Sequence, residues 1–95
     1  RTMPAPGTTP DHFRIGIANC QNYTAGFYTS HFHLAQEDVD VIAFLGDYIY
    51  EGAGPGSGVR EHVGPELRSL ADYRNRYALY KSDPNLQAAH ARCPW

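Results

Sequence analysis

The stretch 39-VDVIAFLGDYIYEG-52 decides how the rest of the chain is read. Its first seven residues, 39-VDVIAFL-45, are rich in β-branched side chains and almost continuously apolar. That is the pattern of a strand covered on both faces. The run ends in a glycine, a carboxylate and two tyrosines. Asp47 therefore stands at the carboxyl end of a strand, where open α/β sheets place their ligand sites. Gly46 before it would let a ligand or cation approach the backbone closely. An acid in this position is either a helix or turn cap, or a piece of chemistry.

Upstream, 13-FRIGIAN-19 alternates apolar with polar or small residues and predicts another strand. A loop follows to about Gly26. From about Tyr28 the pattern turns helical, with Phe32, Leu34 and Ala35 on one face. Strand, helix and strand in some thirty residues form a βαβ unit, with parallel strands and a right-handed crossover. Downstream, 51-EGAGPGSGVREHVGPE-66 is a glycine- and proline-rich loop, long for a plain connector. A helix begins near Ser69, where Ser69 and Asp72 have capping-box spacing. Leu70, Tyr73, Tyr77 and Tyr80 mark one face of that helix. Asp83 as N-cap and Pro84 at the first helical position start a last helix over residues 84–92. Residues 1–11, with prolines at 4, 6 and 10, read as a linker.

The chain has 95 residues and a formal net charge of −2. That is at most one small domain, with little margin for a core. The balance of charge gives no basic footprint for nucleic acid and no polybasic membrane anchor. No apolar run reaches the length of a bilayer span, and the start lacks the apolar segment of a signal peptide. Cys20 and Cys93 match no zinc spacing and could pair or stay free. Two parallel strands with three helices do not close an architecture. Sheets with helical crossovers normally have more strands, so the chain reads as part of a domain whose remaining strands something else supplies.

Tyr50 lies three residues after Asp47. The spacing G-D-x-x-Y is that of one class of binuclear metallophosphatase, in which the aspartate bridges two cations and the tyrosine phenolate binds a ferric ion. A bridging carboxylate holds two metals roughly 3.5–4 Å apart, as in-line displacement at phosphorus requires. A phenolate is a hard anionic donor suited to a trivalent ion. The alternative for Tyr50 is an interfacial aromatic with its hydroxyl in water. Cys20 ends the first strand, so it should emerge at the same sheet edge as Asp47. It could be a thiolate ligand to iron, a small buried hydrophobe or a nucleophile, although no motif supplies a base. His31 and His33 point to different helix faces and make no obvious ligand pair. Arg60 and His62 in the glycine-rich loop could meet a phosphate, and His90 reads as helix surface or packing.

The elements C-Q-N-Y, L-G-D-Y-I-Y-E, Y-R-x-R-Y-A-L-Y-K and D-P-N-L-Q-A-A-H-A occur here in order. Over residues 12–95 the chain resembles the start of the catalytic domain in the alkaline phosphatase D (PhoD-like) metallophosphoesterases. The resemblance implies an α/β fold, part of a metallophosphatase-type β-sandwich flanked by helices. It implies secreted enzymes acting on phosphomonoesters or phosphodiesters, with phospholipase D-type relatives, and Fe(3+) and Ca(2+) as cofactors. By motif, Cys20 would bind iron, Asp47 would bridge iron and calcium, and Tyr50 would bind iron. In the family, further ligands follow in a Trp-Asp-Asp-His-Glu segment and beyond. Three ligands cannot fill two shells, since calcium alone takes six to eight oxygens. The expectation is one chain of a nicked enzyme, completed by a larger C-terminal polypeptide. The alternative is a non-catalytic fragment or structural subunit, inert without that part.

Overall fold

The computed structural model describes residues 1–52 and 58–95. The part of the glycine-rich loop expectation that falls on residues 53–57 lies outside the described residues. Strand β1 (Ile15–Ala18) leads through a 3-10 turn (Tyr23–Ala25) to helix α1 (Thr29–Leu34) and strand β2 (Val41–Phe44). Helices α2 (Leu70–Lys81) and α3 (Pro84–Arg92) follow. The two strands pair in parallel, with Ile15 opposite Val41 and Ala18 opposite Phe44. The edge of β2 away from β1 is also occupied: Ile42 N donates to the Pro94 carbonyl at 2.9 Å.

Local chemistry starts and stops these elements. Ser69 and Asp72 form the reciprocal capping box of α2, so the shorter aspartate serves where glutamate is usual. Asp83 caps α3 by accepting from the backbone N–H of Asn85 and Leu86, with Pro84 in the first turn. Ile42 is fully buried, which is worth about 1.5–3 kcal/mol for a side chain of this size. The central cluster is Tyr28, Tyr80 and Leu86, with Tyr23, Tyr48, Ile49 and Trp95 packed against it. Trp95 stacks on His90 with centroids 4.0 Å apart, so His90 is a packing residue. Cys20 and Cys93 are unpaired, one exposed and one buried. Among the described residues no helix is long and apolar enough to cross a membrane.

Three expectations about faces are corrected. In α1 the buried residue is His31, whereas Phe32 is half exposed. His31 binds Gln21 Oε1 at 2.8 Å, and a polar partner suits burial better than solvent does. In β2 only Ile42 is fully covered, because the sheet has two strands and little stands over its open face. In α2 Leu70, Tyr73 and Tyr77 are exposed, and the inward pair is Arg76 with Tyr80. These two are four residues apart and share one side of the helix. Residues 1–11 carry no helix or strand, yet Arg1 reaches Asp38 at 2.7 Å and Asp40 at 2.5 Å.

Candidate metal centre

The parallel ladder runs past the end of both strands. Leu45 N donates to Ala18 O at 2.9 Å, Cys20 N to Gly46 O at 3.1 Å and Gln21 N to Asp47 O at 3.2 Å. These bonds carry Cys20 and Asp47 to the same edge, as the βαβ reading requires. Both residues then leave the extended conformation: φ is 56° at Cys20 and 55° at Asp47, with Gly46 at 133° between the strand and the acid. A positive φ costs a residue with a side chain on the order of 1–3 kcal/mol, and such residues gather at functional sites. At Gly46 only glycine adopts the angle without strain.

The side chains converge. Cys20 Sγ is 3.5 Å from Asp47 Oδ2, and the Tyr50 phenol donates to the same oxygen at 3.2 Å. Asn19 Nδ2 donates to Cys20 Sγ at 3.3 Å. Residues 48–52 form no helix, so the Asp47 carboxylate is not the cap of a helix that starts there. Cys20 is exposed, which removes the buried-hydrophobe alternative. Desolvation, followed by the Asp47 carboxylate and the Cys20 sulfur, pushes the Tyr50 phenol up to about 12. A cation among these atoms would reverse that direction, because bound cations invert the local logic of proton affinity. Thiolate, carboxylate and phenolate are a soft donor and two hard anionic ones, a set that suits iron. Among the described residues no group of three or more His, Cys, Asp and Glu could hold a metal. The third donor here is a tyrosine.

Arg60 and His62 are not brought to this group. Arg60 pairs with Asp83 at 2.6 Å, donates to Tyr23 O at 3.1 Å and to Gly26 O at 2.6 Å, and lies 3.8 Å over the Tyr23 ring. His62 contacts Gly52 O and Tyr80 Oη, both at 3.0 Å. Burial, together with the nearby Arg76 charge, holds its imidazole below the usual range. Both residues are engaged in holding the chain together. Sequence reasoning missed Gln21, which is buried between His31 and the Tyr48 carbonyl, to which it donates at 2.9 Å. It also missed Arg76. The signals for Arg76 were its place four residues before Tyr80 and its position in the Y-R-x-R-Y-A-L-Y-K element.

A cavity of about 520 Å³ opens beside Cys20. Asn19, Asn22, Phe27 and His31 are among its lining residues. Of the three convergent donors only Cys20 lines this space.

A family profile described as PhoD-like phosphatase matches residues 15–95. The chain is 46% identical over 101 residues to alkaline phosphatase D of Bacillus subtilis (strain 168), covering all of this chain and 17% of that protein. A solved structure described as "Structure of PhoD" is 46% identical, with a TM-score of 0.87 over 99% of this chain and 19% of that one. The chain thus spans less than a fifth of the length of both relatives.

Proposed function

The chain belongs to the PhoD-like phosphatase family, and from that premise we propose that it supplies one edge of the metal centre of a phosphate-ester hydrolase. The observation that carries this reading is the convergence of Cys20, Asp47 and Tyr50 on one carboxylate oxygen at the end of the parallel sheet. Two backbones in sparsely populated conformations place these groups there. In this reading Cys20, Asp47 and Tyr50 would hold iron(III), and Asp47 would also serve a calcium ion. Once bound, the ions would supply charge stabilisation at the phosphoryl oxygens and a nucleophile at neutral pH. The chain's own part is to bind, orient and give up protons. Loading the site requires the thiol of Cys20 and the phenol of Tyr50 to lose theirs, so metal uptake releases protons. Substrates are phosphomonoesters or phosphodiesters, phospholipid head groups included. Arg60 and His62 have no part in phosphate binding in this reading, because their donors hold the fold.

The two-stranded sheet is then the beginning of a β-sandwich completed by a larger C-terminal polypeptide, in an enzyme that acts outside the cell. Support comes from exposed apolar residues along the open sheet and α2. Ile17 is 68% exposed, and Ile15, Leu45, Leu70 and Tyr77 are exposed too. Patches of this kind mark surfaces that another part covers.

The test is the purified complete protein, assayed for iron, calcium, visible absorption and hydrolysis of a monoester and a diester. Expected are both metals, a tyrosinate-to-iron absorption band, and loss of that band in Tyr50→Phe. Iron without such a band, or a band that survives in Tyr50→Phe, would remove Tyr50 from the centre. Absence of metal and hydrolysis together would favour a structural subunit.

A further inference from the structure

Arg76 is 1% exposed and stands on the inner side of α2. Its Nη1 donates to the carbonyls of Tyr50 and Gly52, the latter at 3.1 Å. Nη2 makes a long contact of 3.5 Å with Pro65 O, and Nε has no partner. Among the described residues the arginines paired with carboxylates are Arg1, Arg14, Arg60, Arg68 and Arg92. Arg76 thus keeps its charge buried with carbonyl oxygens for company. Burying an ion without a counter-ion costs several kcal/mol, and a well-packed apolar side chain in its place is often no less stable. Stability alone therefore gives little reason for an arginine here.

The reason lies in the segment it grips. Residues 45–52 belong to no helix or strand. Their carbonyls are held from outside instead. Gln21 Nε2 takes Tyr48 O, Leu67 N takes Glu51 O at 3.1 Å, and Arg76 takes Tyr50 O and Gly52 O. His62 fits the same arrangement as a neutral ring. Its Nδ1 lies 3.0 Å from the Gly52 carbonyl, and its Nε2 lies 3.0 Å from the Tyr80 hydroxyl. Arg76 Nη1, 3.0 Å from Nδ1, disfavours a second positive charge there. Tyr80 is fully buried and returns the chain of contacts to α2. The tyrosine whose carbonyl Arg76 holds is the one whose phenol meets Asp47. A small rotation of that peptide is multiplied at the hydroxyl, the far end of the longest lever in the site. Functional groups must be held to within ~0.5 Å of their working geometry.

We propose that Arg76 is a positioning residue for Tyr50. Its Nη1 holds the Tyr50–Gly52 backbone through two carbonyls and thereby aims the phenol at the Asp47 carboxylate. The inference rests on the reading of Tyr50 as an iron ligand. A lysine offers a compact point charge in place of a planar guanidinium that spans from these carbonyls to Pro65 O, so it should not hold the segment in the same geometry.

The experiment compares wild type, Tyr50→Phe, Arg76→Lys, Arg76→Met and, as a destabilised control, Asp83→Ala, all in the complete protein. Iron affinity is read by chelator competition, and the absorption band is recorded at equal iron content. Outer-shell partners of metal ligands typically contribute 10–100-fold to affinity. Expected in Arg76→Lys and Arg76→Met is a loss of roughly that size, with a shifted and weakened band. Asp83→Ala should lower stability and leave the band in place. If Arg76→Met fails to fold, Arg76→Lys decides by the same two readings. A wild-type band and affinity in the folded Arg76 variants would overturn the positioning role. Absence of a tyrosinate band in wild type would instead overturn the parent reading, which keeps the two failures apart.

Discussion

Asp83 serves two structural partners at once, and its removal should cost far more than a helix cap. One carboxylate oxygen accepts from Asn85 N at 2.9 Å and Leu86 N at 3.0 Å, closing the start of α3. The other pairs with Arg60 at 2.6 Å, with the Asp83 side chain 2% and the Arg60 side chain 11% exposed. Asp83→Ala loses the cap, about 1 kcal/mol. It also leaves a nearly buried guanidinium without its partner, about 3–5 kcal/mol in comparable cases. Arg60 retains two carbonyl acceptors and the Tyr23 face, so the lower end applies, for a total of about 4 kcal/mol. Asp83→Asn can cap α3 or accept from Arg60, but not both equally well, and should fall between. The assay is native-state hydrogen exchange of the α3 amides together with denaturant unfolding. A double variant, Asp83→Ala with Arg60→Met, should be less destabilised than the sum of the single changes, since no stranded charge remains. A cost for Asp83→Ala of about 1 kcal/mol, with additive behaviour in the double variant, would refute the shared role and leave only the cap.

Ile42→Ala empties a fully buried position between β1 and the Pro94 carbonyl; unfolding should register a loss of about 2–5 kcal/mol, against under about 1 kcal/mol for an exposed residue such as Leu45. His31, His62 and His90 are each held below the ordinary imidazole range, chiefly by desolvation. The unfolded chain takes up protons near pH 6.5 while these folded histidines resist them. Their contribution to stability is thus complete above about pH 6.5 and is lost as pH falls below it. Unfolding followed between pH 8 and pH 5 should show this decline, and His31→Gln should flatten it.

Much of this was legible in the residues. The apolar run before Gly46 and the alternation after Phe13 are local periodicities, and both strands form where they predict, in parallel. The starts of α2 and α3 were legible for the same reason: a cap is a short-range exchange between a side chain and N–H groups two or three residues away. Cys20 and Asp47 could be placed at one sheet edge because parallel pairing brings the carboxyl ends of consecutive strands together. What sequence could not show was which side of a helix faces inward when the apolar face is not the buried one. Leu70, Tyr73, Tyr77 and Tyr80 gave α2 an apolar stripe, yet of these only Tyr80 points inside, and Arg76 joins it. Burial there is decided by backbone carbonyls of residues 50 and 52, which come from another part of the chain. Arg60 and His62 looked free for a ligand for the same reason, since Asp83 and Tyr80 lie about twenty residues downstream of them. The left-handed backbones of Cys20 and Asp47 also belong to tertiary structure alone. No residue type demands a positive φ at a cysteine or an aspartate. The ladder bonds on either side impose it, and those exist only once the two strands have met.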